Sequence, residues 1–213
     1  MKQLLNLITA AVVLATAGHG VAASSVDVNV AGSITPAACT PMLGSGGVVD
    51  HGKISAKDLS FNVPTALPVA TLALRVDCVG STLVAVKSRD NRAGSSAENP
   101  IARPNFGLGL VNGDKKIGWF LLKMSNGQAD GVSRHLIESS NGLTWTDASH
   151  PDLVWQVGDM RALGGSGSDT APLPVQSMTI DIQVETMLAQ KQDLPYQAEF
   201  PIDGSATLEV IYL

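Results

Sequence analysis

The sequence carries no excess of positive charge, and this restricts the functions that it can have. Lysine and arginine number 14 against 19 aspartate and glutamate residues, so the formal net charge is −5 at pH 7. Nucleic-acid binding needs a basic surface, and attraction to anionic lipid headgroups needs a run of basic residues. Because the chain has neither, we expect no nucleic-acid partner. The mild acidity is most simply a feature that keeps a protein soluble.

Long apolar runs are also missing, apart from one at the amino terminus. Residues 1–23 begin with the charge of Lys2, continue through a mostly apolar run at 4–17 and finish with small residues at 21–23. This order is typical of a signal peptide cleaved before Ser24, and the run is short for a membrane span. An uncleaved anchor is the alternative. Cleavage leaves 190 of the 213 residues, which suits one exported all-β domain without a membrane span.

Recognisable catalytic and cofactor motifs are absent as well. The histidines His51, His135 and His150 are far apart and show no metal-ligand spacing. The Gly-Leu-Gly at 107–109 lacks the third glycine and the following helix of a dinucleotide site. The glycine-rich run at 164–167 has no strand-to-helix pattern around it. We therefore expect no enzyme, no metal and no cofactor.

Cysteine is scarce, with two residues, Cys39 and Cys78, both beyond the predicted signal peptide. An exported chain meets an oxidising compartment, where this pair is the one intramolecular disulfide that can form. Such a bond closes a loop of about forty residues and is worth roughly 3–4 kcal/mol in the chain-entropy model. A catalytic thiol is the alternative, but neither cysteine lies in a nucleophile motif.

What the sequence does have is strict alternation of apolar residues at both termini. Residues 26–34 alternate between two faces of an extended strand. Residues 205–213 alternate in the same way, and the next-to-last residue is a tyrosine. A strand at a free terminus pairs either within its own domain or with another molecule, and the pattern alone leaves both possibilities open. The apolar face of the amino-terminal strand carries Val26, Val28, Val30, Gly32 and Ile34. The apolar face of the carboxy-terminal strand carries Leu208, Val210 and Tyr212.

Between the termini, alternation predicts further strands at 70–78 and 176–188 and no confident helix. Cys78 falls on the inward face of the first of these strands. Short alternating strands separated by turn residues are typical of a Greek-key sandwich. The remaining expectations are a short edge strand at 48–54, an Asn-Gly hairpin at 112–113, turns at 126–127 and 141–142, and a mobile loop at 158–174.

At these residues the sequence resembles the subunits of chaperone–usher fimbriae, the pilins. Gly32 precedes Cys39 by seven positions, as a glycine does in the amino-terminal extension of pilins, and Tyr212 matches their penultimate aromatic residue. One departure is Phe200, fourteen residues from the end, where many pilins have glycine; the nearest glycine is Gly204. The resemblance implies an all-β fold, an incomplete immunoglobulin-like Greek-key β-sandwich (pilin-like) with one disulfide. It also implies a signal peptide at 1–23, a donor-strand extension at 24–38 and a sandwich domain at 39–213.

The resemblance further implies a structural function. Residues 26–34 of one copy would fill a groove beside the strand of Leu208, Val210 and Tyr212 in the next copy. Burying four apolar donor side chains would contribute at most about 6–12 kcal/mol. The expected partners are other pilin subunits, a periplasmic assembly chaperone and an outer-membrane usher. The expected location is a cell-surface fimbrium reached through the periplasm, where the chain serves as a shaft, adaptor or minor subunit that supports adhesion.

Two alternative functions remain. One is that of a secreted hydrolase, which the scattered histidines and the missing nucleophile motif disfavour. The other is that of a self-complete secreted or periplasmic β-sandwich that binds a glycan or another ligand. Its candidate site is formed by the tryptophans Trp119, Trp145 and Trp155, which are otherwise core or half-buried strand residues. This alternative predicts a stable monomer that needs no chaperone. The sequence does not specify a receptor, partner subunits or the position along a fibre.

Overall fold

The computed structural model describes residues 28–30, 38–98, 103–167 and 169–213. Two units are distinguished along the chain, Met1–Ile34 and Thr35–Leu213, and the fold below is that of the second unit. The predicted signal peptide lies outside the described residues, as do Val26, Gly32 and Ile34 of the predicted donor strand. Within the described part of the chain, no helix is long and apolar enough to cross a membrane.

The described fold is all-β, as expected, and the two helical segments in it are short 3-10 turns at Gly44–Gly47 and Lys191–Asp193. The strands are β1 (Cys39–Leu43), β2 (Thr65–Ala66), β3 (Ala70–Thr82), β4 (Val84–Asp90), β5 (Phe106–Gly107), β6 (Leu110–Val111), β7 (Lys115–Lys116), β8 (Gly118–Ala129), β9 (Val132–Ser133), β10 (Leu136–Ser139), β11 (Thr146–Asp147), β12 (Met160–Leu163), β13 (Val175–Leu188) and β14 (Ala206–Tyr212).

The two longest strands, β3 and β13, form the centre of the first sheet because their sequences alternate over their full length. They pair antiparallel from Val184 opposite Ala70 to Ser177 opposite Asp77. Branched residues dominate the inward positions, as suits a pleated surface that is buried on one face. The inward side chains are Leu72, Leu74, Val76 and Cys78 on β3, and Met178, Ile180, Ile182 and Val184 on β13, all at most 9% exposed.

Two antiparallel sheets pack into the sandwich. The first has the order β1-β3-β13-β8-β5, and the second has the order β11-β10-β12-β4-β14. In chain order, β1, β3, β4, β8, β13 and β14 occupy the places of strands A to F of an immunoglobulin domain, because A-B-E-D form one sheet and C pairs with F in the other. The seventh strand of that arrangement, which pairs with F, has no counterpart among the described strands.

The predicted disulfide is confirmed. Cys39 and Cys78 lie directly opposite each other in the β1–β3 pair, and their sulfur atoms are bonded. Cys78 is buried with the inward residues of β3, as expected. The bond therefore fixes the first strand to the core at the position where the sandwich begins.

Three local expectations are wrong. The Asn-Gly at 126–127 makes no turn; it lies inside β8, where Asn126 has a φ of 55° and the pairing with β13 shifts. The stretch 158–174 is not simply a loop, because it contains the buried strand β12. The stretch 48–54 is not a strand, because Gly52, with a φ of 62°, donates its N–H to Oδ1 of Asp50 and turns the chain. The hairpin at 112–113 is confirmed, with both residues at positive φ.

Candidate functional site

The outer edge of β14 is the feature on which the site is built. All seven residues of β14 pair with β4, from Ala206 opposite Asp90 to Tyr212 opposite Val84. On its other side, no strand within the described ranges pairs with it. An edge of this kind presents a row of backbone N–H and C=O groups to which another chain can add a strand.

The inward side chains of β14 pack against the core but are not sealed from solvent. Ala206, Leu208 and Val210 contact the main apolar cluster and remain half-buried, whereas the inward residues of β3 and β13 are buried. Ile211 points the other way and packs on a small second cluster on the outer face of its sheet. The strand therefore behaves as a core strand from which one neighbour is missing.

An open cleft of about 240 Å³ lies beside this edge. Its floor is the interior face of the first sheet, supplied by β3, β8 and β13, and its walls are β14 and the stretch 43–51. The polar side chains in it are few, and His51 and Thr186 satisfy each other through a hydrogen bond of 3.0 Å between Nε2 and Oγ1. The apolar lining includes Leu43, Val49, Leu72, Phe120, Leu122, Ile182, Val184, Ile202 and Leu208.

A second cleft of about 520 Å³ continues from the first, and the two share Val49, His51 and Ile202. It runs toward Leu188 between the stretches 49–59 and 196–202. An exposed ion pair of 3.4 Å joins Lys53 on one wall to Glu199 on the other. The two clefts together form one elongated channel beside the first residues of β14, Ala206 to Leu208, and the residues that precede them, and we call this channel the groove.

Gly204 shapes the wall of the groove just before β14 begins. A Cβ atom at this position would lie 2.8 Å from Cδ2 of Leu108 and 3.2 Å from the Phe120 ring, so a larger residue would displace the core. The neighbouring Asp203 donates its N–H to the Leu108 carbonyl at 3.0 Å. Its carboxylate accepts hydrogen bonds from Arg92, which raise the pKa of Arg92. These bonds hold the wall in place.

The carboxyl end of β14, beyond the residues that line the groove, is tied by Tyr212. Its hydroxyl oxygen accepts a hydrogen bond of 2.9 Å from the backbone N–H of Cys39. This contact links the last residue of β14 to the first residue of β1, next to the disulfide. Tyr212 is 41% exposed, and it lines neither of the two clefts of the groove.

The structure therefore brings some of the predicted site residues together and leaves others untested. Leu208 lines the groove, and Val210, two residues further along the same face, packs against the core cluster. Of the predicted donor residues, Val28 and Val30 are described, and their side chains are 85% and 95% exposed. The other three lie outside the described residues, so the donor strand remains a prediction.

Sequence reasoning missed the part of the groove that precedes β14. Phe200 and Ile202 line the second cleft, and they continue the same alternation as Leu208 and Val210. This shared alternation is the sequence pattern from which their place beside the groove could have been predicted. Nothing in the local sequence indicates that His51 lies in the groove, because its position depends on a contact with Thr186, 135 positions away.

The tryptophans do not form a common site. Trp155 is 0% exposed and donates its Nε1–H to the carbonyl of Asp159 at 2.9 Å. Trp119 and Trp145 are half-buried and line two different surface clefts. No group of three potential metal ligands is found among the residues that the structure describes.

Comparison with known proteins gives sequence relatives without a stated function. A family model described as "Protein of unknown function (DUF1120)" matches residues 28–102, the part that contains β1 to β4. "Uncharacterized protein YhcF" of Escherichia coli (strain K12) is 28% identical over 224 residues, covering 90% of this chain and 92% of that protein. "Protein GltF" of the same strain is 25% identical over 252 residues, covering 98% of each chain. The similarity extends over nearly the whole length of these relatives.

Proposed function

We propose that this protein is a structural subunit of a surface fibre assembled by donor-strand exchange, in which residues 26–34 of one copy fill the groove of the next. The observation that carries the proposal is the unpaired edge of β14 above half-buried core side chains. A strand added there would occupy the place of the seventh immunoglobulin strand, which runs antiparallel to strand F. It would satisfy the backbone of β14 and seal the groove in one step.

The dimensions and chemistry of the two parts agree. Nine residues in extended conformation span about 30 Å, and the seven residues of β14 span about 23 Å. The donor would cover β14 and reach the stretch 200–204. Alternation directs one face of the donor into a groove whose floor is apolar. Gly32 suits a place where the groove wall approaches the donor closely, because it has no side chain.

A subunit with such a groove needs partners before assembly. An exposed edge above apolar side chains invites aggregation, so the proposal includes a periplasmic chaperone that pairs with β14 until an outer-membrane usher exchanges it for a donor strand. The fibre is then a cell-surface fimbrium, and the subunit lies in its shaft, in an adaptor or at a minor position. No catalytic role is included in this proposal.

The test compares adjacent positions of the donor strand in the full chain. Val28→Asp places a charge on the face that enters the groove, and Gly32→Leu adds a side chain where the wall is close. We expect both variants to abolish fibres, whereas Asn29→Asp, on the opposite face, assembles like the unaltered protein. Intact-fibre mass spectrometry and electron microscopy measure the outcome. Normal assembly of Val28→Asp would overturn the donor assignment.

Ligand binding is the second candidate function, and one observation favours it. Trp119 lines a surface cleft of about 620 Å³ together with Asn112, Gln190 and Gln192. An aromatic face beside amide groups suits a sugar ring, which stacks on one and hydrogen-bonds to the other. This candidate predicts a stable monomer in the absence of a chaperone. It also predicts glycan binding that Trp119→Ala removes.

A further inference from the structure

The exposed apolar side chains of the sandwich are concentrated at its two ends. The strand β13 defines these ends, because its 14 residues span about 45 Å. The Cys39 end contains Val79, Leu83, Leu143 and Leu213, which are 79%, 39%, 85% and 42% exposed. The Leu188 end contains Phe61, Val63, Val69 and Tyr196, which are 61%, 53%, 58% and 40% exposed. Outside residues 28–30, these eight are more than half of the fourteen exposed large apolar side chains in the described ranges; the other six are Met42, Val48, Leu110, Val132, Leu153 and Tyr212.

Hydrogen bonds hold the Cys39 end together. Leu213 donates its N–H to the carbonyl of Leu83 at 3.1 Å, and Val79 donates to Ala38 at 3.1 Å. Leu143 and Leu213 line one surface cleft together with Leu83 and Trp145. The side chains at this end thus form one surface next to Cys39, the residue from which the amino-terminal extension departs.

The Leu188 end is held together in a comparable way. The 3-10 turn after β13 donates N–H groups to the carbonyls of Ser60 and Phe61, at 3.0 and 3.2 Å. The Lys191 ammonium lies 5.0 Å from the centre of the Tyr196 ring. Patches of exposed apolar side chains on a folded domain mark interaction surfaces more often than isolated exposed residues do.

We propose that these two ends are the contact surfaces of a head-to-tail assembly, in which the Cys39 end of one copy packs against the Leu188 end of the next. The inference rests on the proposed function. A donor strand antiparallel to β14 runs from the Tyr212 side of the recipient groove toward Phe200, so its carboxyl end emerges at the recipient's Leu188 end. Residue 39 of the donor copy follows residue 34 by five steps.

The connection between residues 34 and 39 of the donor copy is too short to keep the donor and recipient sandwiches apart. Five extended residues span at most about 18 Å, so the donor's Cys39 end is held directly against the recipient's Leu188 end. The contact is heterologous, because different surfaces of the two copies meet, and it repeats along the fibre without closing. Apolar packing between the ends makes the fibre stiffer than donor strands on flexible tethers would make it.

Paired cysteines test this contact in assembled fibres. Leu143→Cys and Phe61→Cys place one thiol at each end of the same chain, and a short bismaleimide joins thiols that lie close. We expect a ladder of covalent multimers after denaturation that releases donor strands. The control combines Leu143→Cys with Lys87→Cys, which places the second thiol on the exposed flank of β4, and we expect it to remain monomeric.

The outcomes separate this inference from the proposed function. A ladder at multiples of this chain's mass, specific to the 143–61 pair, supports the end-to-end contact. Fibres that form normally but give no ladder, or that cross-link only to a different protein, would overturn the contact and leave strand exchange standing. Failure of the unaltered chain to form fibres would overturn both.

Discussion

The two seams of this sandwich are closed in different ways. On the β8–β10 side, the stretch 148–157 bridges the sheets, since Ala148 donates its N–H to the Leu136 carbonyl at 2.8 Å and Trp155 donates to Leu122 at 2.7 Å. On the other side, the groove runs along β14, and no described strand pairs with the outer edge of that strand. The chain thus supplies a cover for one seam, and we propose that a neighbouring copy supplies the cover for the other.

The difference reverses the usual relation between polarity and burial. Beside the covered seam, the Arg161 side chain is 0% exposed and pairs with Glu138 at 2.8 Å, and burial lowers the pKa of Arg161. Beside the groove, Leu208 and Val210 remain half-buried. A cation is buried where backbone seals the seam, and aliphatic side chains meet solvent where it does not. Burial therefore follows the availability of a covering segment more closely than it follows residue type.

The largest expected effect comes from closing the groove seam within one chain. A second copy of residues 25–36, joined after Leu213 by a short turn, would add the missing neighbour of β14. The burial of its four apolar side chains contributes at most about 6–12 kcal/mol, and 1 kcal/mol shifts the Tm of a domain this size by about 2–4 °C. We expect a rise on the order of 10 °C in the Tm of thermal unfolding, and a monomer that no longer forms fibres.

The matched control carries the same added segment with its copies of Val28 and Val30 replaced by aspartate. We expect this control to have the same Tm as the unaltered chain. Its added segment is as long as that of the first variant, and only the apolar face of the segment is lost. An equal rise in Tm for both proteins would mean that the groove does not recognise the alternating face.

At the covered seam, the largest effect is expected from Glu138→Ala. The substitution leaves the buried Arg161 without its charged partner, which costs about 3–5 kcal/mol, and urea unfolding measures the loss. Glu209→Ala, at an exposed position of β14, should change stability by less than about 0.5 kcal/mol. Adding Arg161→Met to Glu138→Ala should restore part of the lost stability, because no uncompensated cation then remains. A double variant no more stable than Glu138→Ala would contradict this account.

The sequence predicts the strands beside the groove better than it predicts those beside the covered seam. The alternation of β3, β13 and β14 revealed the core strands, and the two cysteines revealed the disulfide. The strand β12 was missed because its inward Arg161 breaks the apolar pattern and glycine-rich residues follow it. Its burial depends on Glu138, which is 23 positions away. At Asn126 the sequence predicts a turn where the structure has a bulge, because Asn-Gly favours positive φ in both settings, and only the pairing with β13 distinguishes them.

The smallest effect is expected at the tied carboxyl end of β14. Tyr212→Phe removes the hydroxyl oxygen that accepts the N–H of Cys39, and the loss of one such bond costs about 0.5–1.5 kcal/mol. Tyr196→Phe, at the opposite end, is the matched control, because its ring faces Lys191. We expect chemical denaturation to give a lower free energy of unfolding for Tyr212→Phe than for this control. Equal values would mean that the hydroxyl does not tie β14 to β1, and the bridge between the two ends of the described sandwich sequence would then contribute nothing measurable.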